Sequence, residues 1–200
     1  MTICYIVKDN LYLNITNKCP CACTFCIRQN GDGAYGSDSL WLPYEPTREE
    51  IISDIDKFLG VPNDFTEVVF CGFGEPMERF EDVAFLGRYI KKKYKKIIRL
   101  NTNGLGNKIH SQNTSSALLG AVDIVSISLN AGTKDIYNSV TCPKWDDAFD
   151  CMLEFAAECK AIVPKVMFTV VDVISNEDIN KCHELSQKLG IPLRVRSYDA

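Results

Sequence analysis

In Asp123-Ile-Val-Ser-Ile-Ser-Leu-Asn130 apolar and polar side chains alternate, with Val125, Ile127 and Leu129 set against Ser126, Ser128 and Asn130. Successive side chains of a strand point to opposite faces, so a strand here has one apolar and one polar face. A strand of a doubly wound sheet is apolar on both faces, because helices cover both. The same split pairs Asn14 with Thr16, Arg99 with Asn101 and Arg194 with Arg196 in other strand-like stretches. Strands that all carry one polar face suit a curved sheet whose concave side holds a polar ligand, with the site at the carboxyl ends of the strands.

Outward from this segment the chain alternates. Residues 3–7 and 11–16 read as two strands around an Asp9-Asn10 turn. Residues 29–46 hold Gly31, Gly33, Gly36, Pro43 and Pro46 and read as a loop, expected to be mobile. Thr47-Arg-Glu-Glu50 is a capping box for a helix that Gly60 stops. Strands follow at Glu67–Cys71, Ile97–Asn101, Asp123–Leu129, Lys165–Val171 and Pro192–Arg196. Helical patterns at 80–95, 115–119 and 146–162, and one capped by Ser175 that runs to Leu189, lie between them. Strands joined by helical crossovers are parallel and right-handed. The expected fold is therefore α/β: a partial (β/α)6 TIM-like barrel of six parallel strands, preceded by a short N-terminal strand, in a single domain over residues 1–200.

Composition agrees. With 46% apolar and 24% charged residues, 200 residues make one ordinary globular core. A net charge of −4 argues against a general nucleic-acid binder, and the lysine run at 91–96 reads as cations at a helix end. No apolar run approaches the roughly eighteen residues of a membrane span, and the N-terminus lacks a secretory signal, so a cytoplasmic protein with no membrane partner is expected.

Chemistry concentrates in Asn14-Ile-Thr-Asn-Lys-Cys-Pro-Cys-Ala-Cys-Thr-Phe-Cys-Ile-Arg28. Cys19, Cys23 and Cys26 form C-x3-C-x2-C, with Cys21 as an extra thiol. Ten cysteines in 200 residues would produce that triplet roughly 0.025 times by chance, so the pattern is selected for a purpose. Thiolates this close bind soft metal centres: iron–sulfur clusters, zinc or copper(I). Zinc would take Cys21 as a fourth ligand, but the usual second ligand pair is missing. Three thiolates leave one metal corner open, where a ligand can enter. Further motifs close later strands: Cys71-Gly-Phe-Gly-Glu-Pro76, where Glu75 can accept hydrogen bonds from an amino group, Asn101-Thr-Asn-Gly104, and Ser128-Leu-Asn-Ala131. All fall on the rim that carries the cysteine loop.

A C-x3-C-x2-C loop after the first strand, Phe25 before its last cysteine, then Gly-Glu-Pro, Thr-Asn-Gly and Ser-Leu-Asn-Ala, resembles the radical S-adenosylmethionine superfamily over nearly the whole chain. The wording further resembles small members associated with TatD-type hydrolases. The resemblance implies that Cys19, Cys23 and Cys26 bind three irons of a 4Fe-4S cluster and that the amine and carboxylate of S-adenosylmethionine chelate the fourth. Reductive cleavage would give methionine and a 5′-deoxyadenosyl radical that abstracts hydrogen from an unidentified substrate. In these terms Phe25 packs near the adenine and the Gly74-Glu75-Pro76 turn holds the amine. Asn101, with Thr102 and Asn103 of its motif, and Ser128 and Asn130 meet ribose or carboxylate, and Thr169 and Val170 border the adenine. Phe73-Gly74 replaces the family's glycine pair. An electron donor such as flavodoxin or ferredoxin and a link to a TatD-type hydrolase follow from the same resemblance. The alternatives are a glycyl-radical activating enzyme, against which Asn101 in place of an aspartate speaks, and a zinc-containing or iron–sulfur binding or electron-transfer module.

Some residues are left over for the substrate. Arg194 and Arg196 share a strand face near the rim and suit an anion. Cys71 and Cys142 sit beside rim motifs as candidate redox or hydrogen-donor thiols. With a short segment after the last strand, the 29–46 loop or a partner is expected to cover the open side of the barrel.

Overall fold

The computed structural model describes residues 1–198. β1 (Cys4–Val7) and β2 (Asn10–Leu13) form an antiparallel hairpin. β2 then begins a parallel array with β3 (Glu67–Phe70), β4 (Ile97–Thr102), β5 (Ile124–Ser128), β6 (Lys165–Val171) and β7 (Leu193–Arg196). The spatial order follows the chain, β1 to β7 in one sheet. A doubly wound sheet reverses its strand order at a switch point. This sheet never reverses, so it winds as a barrel does, and it stays open between β7 and β1. The α/β class, the six parallel strands and the preceding short strand are as expected.

The connections carry α1 (Arg48–Leu59), α2 (Phe80–Tyr94), α3 (Gly106–His110), α4 (Lys134–Thr141), α5 (Ala148–Ile162) and α6 (Asn176–Leu189). Thr47 and Glu50 close the capping box reciprocally, and Ser175 accepts from the Asp178 amide. Two helices escaped the sequence pattern: α3, which follows a left-handed Gly104, and α4. The stretch expected as a helix at 115–119 is a 3₁₀ turn, Ser115–Leu118.

Register separates the two faces. Leu11, Leu13, Val68, Phe70, Ile98, Leu100, Val125, Ile127 and Phe168 are all fully buried against the helices. At about 1.5–3 kcal/mol for each large apolar side chain, this face anchors the barrel. The inner face carries Tyr12, Arg99, Asn101, Ser126, Thr169 and Arg194, as Tyr12↔Val69, Val69↔Arg99, Asn101↔Ser126 and Thr169↔Arg194 are paired.

Loop 29–46 is better held than its glycines imply. Leu40 and Leu42 are buried, and Leu40 and Ala34 pack with Tyr5 and Phe73 in a second, smaller cluster on the inner side. Fully buried Asn14 donates to Leu40 O (2.7 Å) and accepts from the Phe73 amide (3.2 Å), while Asn17 exchanges two bonds with the Leu42 backbone. These side chains take over the end of the first barrel strand, which stops at Leu13 rather than Thr16.

Candidate active site

The cysteine loop leaves β2 and is clamped on both flanks. On one, the Glu75 amide donates to Lys18 O (2.8 Å), and Gly74 lies so close to the Thr16 and Lys18 carbonyls that a Cβ there would overlap both. Gly74 thus serves close backbone packing. On the other flank runs the end of α4: Val140 O accepts from the Thr24 amide (2.9 Å), Thr141 O and Cys142 O from the Ala22 amide, and Pro20 O from the Lys144 amide. Cys21 bridges to Pro143 in the same antiparallel contact. Sequence reasoning missed α4; its signal is Ile136, Tyr137 and Val140 at helical spacing, of which Tyr137 is buried beneath the loop.

Within the loop, Cys21 is the shared partner of two neighbours. Hydrogen bonding to Cys21 lowers the thiols of Cys19 and Cys23 first of all, and Arg28 lowers both further. Cys21 itself is raised, by Cys19, Cys23 and burial. The Asn103 amide points at this group, with Nδ2 3.9 Å from the Cys19 sulfur and 3.8 Å from that of Cys21. Among the described residues no three His, Cys, Asp or Glu side chains converge as they would around a metal ion. Cys26 begins a 3₁₀ turn, and Phe25 is half-buried beside it.

Glu75 departs from the role expected of it. Its carboxylate is turned inward and accepts from Thr102 Oγ1 (2.7 Å), the Asn103 amide (2.6 Å) and the Met77 amide (3.0 Å). Burial pushes it up to about 7, against the pull of those three donors. Its side chain therefore ties the Gly-Glu-Pro turn to the Thr-Asn-Gly turn and caps the 3₁₀ turn that Pro76 opens. Thr102 and the Asn103 amide are thereby engaged too. Gly104, at φ +77°, lets the chain turn away beneath Met152.

Among the other site residues, Ser128 and Asn130 close β5 on the rim, Asn130 in a left-handed conformation, and Thr169 reaches Ile127 O at 3.4 Å. Val170 is corrected by its parity: its side chain is fully buried in the main core with the helices, away from the inner face. Asn101 lies on the inner face, and its side chain lowers the Cys71 thiol, which burial raises. The charge of Arg196 lowers the same thiol. Cys142 is exposed at the end of α4, its thiol 3.6 Å from Ser139 O, and it meets the loop through its backbone. The lysine run is used structurally: Lys91 pairs with Asp123 and Lys93 with Asp56.

A cysteine-rich loop at the mouth of an open parallel βα barrel, braced by a Gly-Glu-Pro turn, defines a class of open βα-barrel proteins that carry their cysteines at the carboxyl ends of the strands. The radical SAM superfamily profile matches residues 13–186, and the chain belongs to that superfamily, one of enzymes. It is 30% identical over 141 residues to GTP 3′,8-cyclase of Streptomyces coelicolor, an alignment covering 68% of this chain and 37% of the cyclase. Its fold is similar to that of Streptococcus suis SuiB bound to precursor peptide SuiA, with a TM-score of 0.69, 18% identity, and coverage of 96% of this chain and 39% of SuiB. Methylornithine synthase gives a TM-score of 0.64 at 17% identity, over 95% of this chain and 53% of the synthase. The chain thus spans well under two thirds of each of these proteins. No helix among the described residues is long and apolar enough to cross a membrane.

Proposed function

We propose that this chain is a radical enzyme that holds a 4Fe-4S cluster on Cys19, Cys23 and Cys26 and binds S-adenosylmethionine at the rim. Membership of the superfamily supports both groups, and the donor chemistry fits them. Cys19 and Cys23 are held toward the thiolate form that iron requires, on a loop fixed from both flanks. The cysteine loop fixed from both flanks at the barrel mouth, in a chain whose residues 13–186 match the superfamily, is the observation that carries the reading. When bound, the cluster supplies the electron that splits S-adenosylmethionine into methionine and a 5′-deoxyadenosyl radical.

The chain's own residues position and shield. Asn103 directs its amide at the thiols, so it would donate to sulfur beside the cluster. The backbone of the Gly74-Glu75-Pro76 turn offers carbonyls to the amine of S-adenosylmethionine, with Glu75 fixing the turn from behind. Ser128 and Asn130 present hydroxyl and amide groups for the ribose or the carboxylate, Thr169 lies beside them, and Phe25 offers an apolar surface to the adenine. Cys71, on the inner face, is the better placed of the two candidate thiols to meet a substrate radical. An electron donor such as flavodoxin or ferredoxin would supply the electron to the cluster. A functional link to a TatD-type hydrolase belongs to the same proposal.

The relatives act on different substrates by name: GTP for the cyclase and a precursor peptide for SuiB. Neither is carried over to this chain. Anaerobic reconstitution with iron and sulfide, followed by reduction in the presence of S-adenosylmethionine, tests the proposal. 5′-Deoxyadenosine should form, and its absence from a fully loaded, reduced protein would leave an electron carrier at most.

A further inference from the structure

The inner face holds more positive charge than it balances. Arg99 lies beside Val69, and Arg194 and Arg196 beside Thr169 and Val171, so all three project from the face that carries Tyr12 and Cys71. They come from β4 and β7, three strands apart in the sheet, and their charges act on common neighbours. Burial raises Tyr12 and Cys71, and Arg196 pulls both back down; burial first, then Arg194, lowers Arg99. Glu67 stands against Arg99, but among the described residues neither Arg194 nor Arg196 forms an ion pair.

One donor in the same place is left without a partner. Arg99 Nε is buried, and no hydrogen bond reaches it. A fold seldom keeps such an orphan for stability alone, and here it lies beside the surplus charge. Guanidinium groups present planar forks that match the two oxygens of a carboxylate or phosphate, and a concave wall concentrates their field. The height of the set in the barrel is also informative. Arg99 lies mid-strand, two residues before Asn101, while Arg196 is level with Val171 at the carboxyl end of β6. An anion held between them sits below the rim, leaving the rest of its molecule to extend toward the cysteine loop.

We propose that Arg99, Arg194 and Arg196 form an oxyanion-binding site on the inner face, and that the substrate is an anionic molecule anchored there through a phosphate or carboxylate. The substrate role rests on the radical reading given above; the anion site does not.

The test uses the reconstituted protein, with pyrophosphate and malonate as probes, titrated calorimetrically at low salt, and S-adenosylmethionine binding measured in parallel by equilibrium dialysis. One saturable anion site is expected, and the tighter probe identifies phosphate or carboxylate as the anchoring group. The double variant Arg194→Gln, Arg196→Gln changes only exposed strand positions and should weaken the tighter probe at least tenfold while S-adenosylmethionine binding holds. Arg99→Lys, which keeps a cation opposite Glu67, should weaken it too by losing the fork. The proposal is overturned if neither probe binds, if the double variant binds as the parent does, or if S-adenosylmethionine binding falls in step with the anion, which would assign the arginines to the cofactor. Arginine-dependent anion binding in a protein that never forms 5′-deoxyadenosine would support the site and overturn the radical reading on which its substrate role depends.

Discussion

At Glu75 a single carboxylate joins two rim motifs, and its titration makes that joint measurable. Its folded value of about 7 lies above the ordinary 4.5, so the folded chain holds the proton more tightly than the unfolded chain does. The group's contribution to stability is therefore largest below about 4.5 and declines as pH rises through about 7, by about 3 kcal/mol in all. Glu75→Gln cannot titrate, and it sets an amide N–H against one of the three donors, costing about 1–3 kcal/mol. Urea unfolding should show the variant less stable at pH 5, with the gap to the parent narrowing by pH 8. A constant gap would mean that Glu75 is ionised throughout. Gly74→Ala acts on the same joint through sterics, since its Cβ would overlap the Thr16 carbonyl. Overpacking of this kind costs about 1–3 kcal/mol and should lower both the melting temperature and the iron retained after reconstitution. The sequence marked Glu75 as an acceptor and Gly74 as part of a turn that meets the cofactor. It did not show that both are directed at the protein itself, because the partners lie on other strands and come together only in the folded barrel.

Among the elements, α4 and loop 29–46 decide how firmly the cysteine loop is held. Ser139→Pro removes a helical hydrogen bond in α4 and should disturb the strip from Val140 to Lys144 that binds Pro20 to Thr24. Iron retention should fall although no thiolate is altered; retention equal to the parent's would show that the strip is dispensable. In loop 29–46, Asn17→Ala removes the acceptor of the Leu42 amide (3.1 Å), so hydrogen exchange at Leu42 should accelerate while the amides of β4 keep their protection. Local signals explain which elements the sequence revealed. The helices at 47 and 175 announce themselves with side-chain caps that the structure forms, whereas Thr133, before α4, makes no cap bond and the helix is only eight residues long. The glycines of loop 29–46 imply freedom, yet it is fixed by Asn14 and Asn17, whose long-range bonds no local pattern reports.

At the scale of the whole molecule, alternation in one strand carried most of the fold. Ser126 and Ser128 opposite Val125 and Ile127 pointed to a one-faced sheet, and the unreversed strand order agrees with it. The same parity separates Thr169, on the inner face, from Val170, in the core. Every part of the proposed chemistry converges on the mouth of this barrel, and which thiols hold metal there is the central claim. It is tested most directly by anaerobic reconstitution of the parent and of single alanine variants at Cys19, Cys21, Cys23 and Cys26, assaying iron, sulfide, zinc and 5′-deoxyadenosine after reduction with dithionite in the presence of S-adenosylmethionine. The account predicts a 4Fe-4S cluster and 5′-deoxyadenosine in the parent and in Cys21→Ala, and the loss of both in the other three. Stoichiometric zinc without sulfide in the parent, or loss of the cluster in Cys21→Ala, would contradict it.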